Sequence, residues 1–427
     1  MRFGVARDLI TPPFKMNMGG YDSRFGKDFT GVHDDLYVKA VLLDDGRQRV
    51  LFVTHDLVNI TRAHSEGLAN YAMRRHGIPV DHVVASGTHT HAGPTCERMP
   101  RQWETVDYQE FLQDRTHRCI DRACMATYEG EIAHGTVEGD WSMNRRAPLN
   151  GSIVNAPNPA GPVDRALNLV RIAGKADEPC ALLLNYACHP VTLGDTCWLS
   201  SEFPGRLCQI LEAERYGTTA LFFQGAGANA RPRVAAASSM SWKNCSFDEV
   251  DEMASNMAFA IRAALRENRL RRVEPALAAT AFHIDLPLNA RGKEQVREAL
   301  AQESHTGQRI RLGDLLDRYD LTGDAHRLRA GIVRLANDVY VAWMSGEICL
   351  EVKQVIEKVF AGKTLIFIGY GDFSAYVPTD RLLDEGGYES SGSVFGFRMK
   401  GPFRKGIDAQ VAAAFGQALE GLCASTS

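Results

Sequence analysis

The stretch His82-Val-Val-Ala-Ser-Gly-Thr-His-Thr-His-Ala-Gly-Pro94 decides the reading of the fold. A short apolar run ends at Gly87 and Thr88, delivers His89 and His91, and is then turned away by Gly93-Pro94. A run of this length bounded by turn residues reads as a buried strand. Three further segments repeat the design. Residues 181–189 (ALLLNYACH) end on His189, residues 339–347 (VYVAWMSGE) end on Glu347, and residues 365–370 (LIFIGY) end on Tyr370 and run on to Tyr376. Open α/β sheets gather their chemistry in the crevice outside the carboxyl ends of strands. The expectation is an α/β fold with a mixed β-sheet core flanked by helices, in which two imidazoles, a carboxylate and a phenol converge at strand ends.

Working outward, residues 36–43 and 50–57 form a hairpin pattern around Asp44-Asp45-Gly46-Arg47. Residues 64–75, 107–127, 203–215 and 247–267 carry helical periodicity, and 163–172 and 221–223 are strand-like. In the last helix Met253, Met257, Ile261 and Leu265 share one face and read as core. Residues 290–329 are the most polar and read as helices joined by Thr-Gly turns, an inserted cap at about 290–330 within a single domain spanning 1–427.

With 427 residues and 45% hydrophobic content the chain can fill a substantial core. A net charge of −4, with signs interspersed, gives no support to a nucleic-acid or anionic-membrane partner. The ten cysteines show no Cys-x-x-Cys pair, and neither a secretory signal nor a bilayer-length apolar run is seen, so a cytoplasmic location is expected. Self-association is left open.

In Thr88-His89-Thr90-His91 an extended chain would point both rings to one face. His189 precedes Pro190 in apolar surroundings that favour a neutral imidazole, either as a ligand or as a core histidine bonded to a carbonyl. Glu347 reads either as a ligand or as a glutamate opening a helix over 348–360. A His-His-Glu set leaves a zinc position open for water, the pattern of hydrolytic zinc sites. Asp56 reads equally as a carboxylate partner for a ligand imidazole or as a helix cap.

The order Thr-His-Thr-His-Ala-Gly-Pro, Asn144-Arg145-Arg146, Cys188-His189-Pro190, Gly225-Ala226-Gly227-Ala228-Asn229, Gly346-Glu347, Ala375-Tyr376-Val377-Pro378-Thr379 and Gly387-Tyr388-Glu389 resembles the neutral/alkaline ceramidase family. The resemblance implies a zinc ion in a mixed-sheet α/β domain and hydrolysis of the amide bond between a fatty acyl group and sphingosine. It assigns zinc ligation to His89, His189, Glu347 and Tyr376. His91 and Tyr388 would face the carbonyl oxygen, with His91 also protonating the departing nitrogen, and Arg145 would contact the polar part of the substrate. Asn229 and Arg231 are expected to hold polar substrate groups, Arg231 suggesting a carboxylate, phosphate or sugar hydroxyl.

Two departures bear on the substrate. The family's Gly-Asp-x-Ser-Pro segment is here Gly227-Ala-Asn-Ala-Arg-Pro232, without the acid or the serine, which excludes a serine nucleophile there. Neither a carboxyl-terminal immunoglobulin-like domain nor an export signal is expected from this sequence. The expected function is zinc-dependent hydrolysis of a linear N-acyl amide. A hydrolase of a smaller soluble amide, ester or lactone, such as an acylated amino sugar, and a metal-containing binding protein without turnover are the alternatives.

Overall fold

The computed structural model describes residues 1–96, 103–175, 178–215, 217–372 and 374–424. Among these, three mixed sheets carry the architecture. The first has the strand order Val83–Gly87, Arg49–His55, Tyr37–Asp44, Arg2–Leu9, Thr127–Glu129. The second runs Thr218–Gln224, Cys180–Tyr186, Ala166–Ala173, Glu131–Glu138, Arg271–Val273, and the third Ala278–Pro287, Ala325–Ala336, Val339–Met344, Thr364–Ile368. Each sheet contains one parallel pair among antiparallel ones, and the functional candidates follow those parallel strands.

The near-continuous apolar runs arise because these strands are buried on both faces. In Tyr37–Asp44, Val38, Ala40 and Leu42 join a core with the helices, while Val41 and Leu43 turn the other way. Likewise Leu182 and Leu184 face helices, whereas Ala181 and Leu183 meet Phe52, Phe223, Val341 and Ile368 in a core shared by all three sheets. That shared core fixes the sheets against one another and so fixes the loops leaving their strand ends.

The helices follow their local signals. Thr61 caps Arg62–His76 by accepting from the His64 N–H, and Gly77, at φ 64°, ends it. Ser246 and Glu249 form a capping box for Phe247–Arg266, whose Met253, Met257 and Ile261 are buried as the periodicity predicts.

Three expectations need correction. Helices Lys293–Gln302 and Thr306–Asp317 occupy the polar insertion, but residues 325–329 open the strand Ala325–Ala336. Its charged residues sit at the exposed end, which hides the alternation. The helix after Glu347 begins at Leu350, so Glu347 lies instead in a two-residue strand, Glu347–Ile348. Finally, Asp56 neither caps a helix nor reaches a candidate ligand among the described contacts: its Oδ2 accepts from the Tyr37 N–H at 3.0 Å. No described helix is long and apolar enough to cross a membrane.

Candidate metal and substrate site

Four loops bring the candidate residues together. Beyond Val83–Gly87 the chain is not extended: His89 adopts φ 67°, a left-handed conformation costly for a non-glycine residue. Bonds from Thr88 N to His55 O (2.8 Å), His89 N to Leu57 O (3.0 Å) and His91 N to Pro190 O (3.1 Å) hold it there. The two rings therefore converge by a constrained turn and not by the strand alternation expected. Arg24, almost wholly buried, donates to the carbonyls of Gly19, His91 and Thr196 and clamps this turn from behind.

Glu347 and Tyr376 arrive as a matched pair. Glu347–Ile348 runs parallel to Tyr376–Val377 with Glu347 in register with Tyr376. Gly346, at φ 96°, makes the turn before Glu347, and a Cβ there would lie 2.7 Å from the Ala375 carbonyl.

The ring tautomers follow from backbone partners. Nδ1 of His89 faces the Val58 carbonyl, Nδ1 of His91 the Gly20 carbonyl at 3.1 Å, and Nδ1 of His189 the Gly227 carbonyl at 3.3 Å. A carbonyl only accepts, so each Nδ1 carries the proton and each Nε2 presents a bare lone pair. Those lone pairs meet: His89 Nε2 is 3.0 Å from His189 Nε2 and 3.1 Å from His91 Nε2. Glu347 Oε2 stands 3.4 Å from the Nε2 atoms of both His89 and His189 and, among the described residues, is buried without a hydrogen-bond partner. Three nitrogen acceptors and a carboxylate oxygen crowded around one point repel each other unless a cation joins them. Burial first, then neighbouring imidazoles and arginines, holds His91 and His189 well below the usual imidazole range and keeps them neutral. This donor set fits a divalent metal of the imidazole- and carboxylate-binding kind.

Of the residues singled out from sequence, His89, His91, His189, Glu347, Tyr376, Tyr388, Arg145 and Arg231 line one cavity of about 310 Å³. His91, expected to face substrate, is as close to His89 as His189 is, but it is partly exposed where the other two are buried. Although Tyr388 is 44% exposed, loss of water on the cavity side of its hydroxyl, and next the Glu347 carboxylate, push it up to about 12, so it stays an O–H donor at neutral pH. Arg145 is oriented by Glu389, which accepts from its Nε at 2.8 Å and from Arg146 Nη1 at 2.7 Å. The Arg145 guanidinium also lies 5.4 Å from the Tyr376 ring and 5.6 Å from the Tyr388 ring.

Asn229 is not brought to the cavity. Its Nδ2 donates to Glu351 at 2.8 Å and its Oδ1 accepts from the Leu350 N–H at 3.1 Å, so both ends of the amide brace the helix Leu350–Val359. Three contributors were missed. Tyr370, at φ 60°, places its hydroxyl 3.3 Å from His189 Nδ1 and its ring 4.3 Å from that of His89. Its position at a strand end was the available signal. Glu389 carried no role in the sequence reading, and Tyr21, whose ring meets His91 edge-on at 5.1 Å, lies in a Gly-Gly-Tyr segment without any chemical motif.

Loops of a mixed α/β chain thus bring three imidazoles, a group that could hold a metal ion, together with a carboxylate. The family model described as neutral/alkaline non-lysosomal ceramidase, N-terminal, matches residues 2–249, and the chain belongs to that family. Neutral ceramidases of Drosophila melanogaster and Drosophila pseudoobscura pseudoobscura are each 24% identical over 247 residues, 50% of this chain but 32% of theirs. The match thus spans about a third of those relatives. The crystal structure of neutral ceramidase from Pseudomonas aeruginosa superposes with TM-score 0.75 at 17% identity, covering 98% of this chain and 73% of that one. A ceramidase complexed with C2 gives 0.76 at 16%, covering 99% and 75%. These structures share the fold.

Proposed function

We propose that this protein is a metal-dependent hydrolase of an N-acyl amide bond, using zinc held by His89, His189 and Glu347 with Tyr376 beside them. The observation that carries the reading is the convergence of unprotonated Nε2 atoms on the partnerless Oε2 of Glu347. A zinc ion in such a site polarises a carbonyl and lowers the pKa of water to ~7. The chain's own residues supply the rest. His91, with Nδ1 committed to Gly20, offers Nε2 to take a proton from water and return it to the departing amine. Tyr388 donates to the oxygen on which negative charge develops, and the buried Arg145, fixed by Glu389, adds positive charge.

The cavity favours a compact substrate over ceramide as a second reading. At about 310 Å³ it lies at the lower end of the ~300–1,000 Å³ typical of ligand pockets, and Asn17, Tyr21, Asp22 and Asn155 add polar lining. The test is a panel of N-acyl amides of increasing chain length with metal-replete, chelated and zinc-restored protein. Hydrolysis that disappears on chelation and returns with zinc is expected, strongest on short acyl groups. Turnover confined to long chains would favour ceramide, and zinc retention with no amide or ester cleaved would leave a metal-holding binding protein.

A further inference from the structure

The cavity beside the imidazoles holds a cationic group that nothing described neutralises. Arg231 lies in the strand Ala230–Pro232, pinned against the site by the His189 N–H, which donates to the Ala230 carbonyl at 3.0 Å. That strand runs antiparallel to Ser142–Leu149 with Ala230 opposite Asn144, so Arg145 and Arg231 enter one cavity from adjacent strands. The other arginines there carry ion pairs: Arg145 with Glu389, although its Nη2 is also buried without an acceptor, and Arg311 with Asp22 at 2.7 Å. Arg231 makes no ion pair among the described residues. Its Nε is buried without an acceptor, and its guanidinium rests 4.7 Å from the centre of the Trp242 ring.

A second orphan lines the same cavity. The Tyr21 hydroxyl is likewise buried without a partner among the described residues, and after burial the largest charge effect on each of Tyr21 and Arg231 comes from the other. Both groups can donate, and unmatched donors in a desolvated cavity are costly until an acceptor arrives. Arg145 and Arg231 also repel one another, a cost an anion would relieve and a neutral lipid amide would not. Arg231 belongs to the 227–232 segment, Gly-Ala-Asn-Ala-Arg-Pro, which carries neither the acid nor the serine of the pattern it resembles.

We infer that Arg231 and the Tyr21 hydroxyl form an anion subsite, and that the substrate is an N-acyl amide bearing a carboxylate close to the scissile bond. This rests on the amide-hydrolase reading above. One carboxylate oxygen would accept from the Arg231 guanidinium and the other from the Tyr21 hydroxyl, whose ring meets that of His91.

Two probes without an amide test it on the metal-loaded protein: levulinate, the ketone isostere of N-acetylglycine, and the neutral diketone in which a methyl ketone replaces its carboxylate. Ligand-observed NMR titration is expected to give about tenfold tighter binding of levulinate, one charge-assisted pair's worth of discrimination. In Arg231→Gln the ratio falls to near one, in Arg231→Lys most of it survives, and in Tyr21→Phe it drops part way. The lysine variant keeps the charge where loss of the Trp242 contact disturbs folding. Equal binding in the wild type, or an unchanged ratio in Arg231→Gln, would overturn the subsite, the latter assigning the carboxylate to the metal. Neither probe is turned over, so absent amide hydrolysis counts against the enzyme reading and a lost ratio counts against the subsite.

Discussion

Glu347 carries two opposed requirements in one carboxylate. Its Oε2 is buried 3.4 Å from two imidazole lone pairs, a poor arrangement without a cation and a good one with it. Replacing it with glutamine removes the charge and supplies N–H donors to the same lone pairs. The Glu347→Gln protein is therefore expected to lose bound metal by well over the ~10–100-fold typical of perturbing a ligand's supporting shell. Its metal-free form, in contrast, should be more stable than metal-free wild type by about 1 kcal/mol, one buried hydrogen bond. Metal content after dialysis and denaturant unfolding of both apo proteins check the pair of outcomes; a Glu347→Gln apo protein less stable than wild type would refute the lone-pair clash. At this scale the sequence was informative wherever residue type and strand-end position coincide, as for His89, His189 and Glu347. It was misleading at Asn229, whose amide is consumed by a helix start, because a hydrogen-bonding partner 122 residues away leaves no local trace. It was silent on the tautomers, which depend on carbonyls from Gly20, Val58 and Gly227.

Elements set these residues through their ends. The turn at Gly346 exists to swing Glu347 into register with Tyr376, and its φ of 96° and the Ala375 carbonyl leave no room for a side chain. Gly346→Ala should cost roughly 1–3 kcal/mol of stability and weaken metal binding in parallel, since both follow from displacing one strand end. Chemical denaturation and chelator competition measure the two. The helix Glu202–Glu214 shows a different constraint. Glu202 is fully buried, accepts from the Thr192 and Leu193 N–H groups, and burial pushes its carboxyl up to about 7. Its folded value is raised above the unfolded one, so the folded state binds the extra proton, and the associated stability is present at low pH and lost as pH rises through about 7. The His55–His64 pair acts oppositely. Burial lowers both, His64 to about 4, so their contribution is intact above about 6.5 and declines as pH falls toward 4. Thermal scans across pH should show Glu202→Gln gaining on wild type as pH rises from about 4.5 to about 7, by on the order of a few kcal/mol at most, and levelling off above that. A difference independent of pH would show that Glu202 does not titrate there. The strands buried on both faces, such as Cys180–Tyr186 and Val339–Met344, were legible as apolar runs. Half-exposed strands such as Glu131–Glu138 and Ser152–Asn158 were not, since polar residues on their open face break the run.

For the whole molecule, a cation bound at this site would act as a cross-link. His89 and His91 hang from the first sheet, His189 from the second, and Glu347 and Tyr376 from the third. The sheets already share a core through Phe52, Leu183, Phe223, Val341 and Ile368, so a cation that ties their loops adds to a unit that unfolds together. Ligand that binds only the folded state stabilises it by about 4 kcal/mol when free metal stands a thousandfold above its Kd. For 427 residues the unfolding entropy near the midpoint is about 0.9 kcal/mol per kelvin. Chelation should then lower the melting temperature by about 4–5 °C, as one transition, with zinc restoring it. The same treatment should leave Glu347→Gln unmoved, at a midpoint above that of chelated wild type. Separate transitions, only one of them metal-sensitive, would mean the ion is held by a single sheet's loops, and a wild-type midpoint indifferent to chelation would remove the metal from the account altogether.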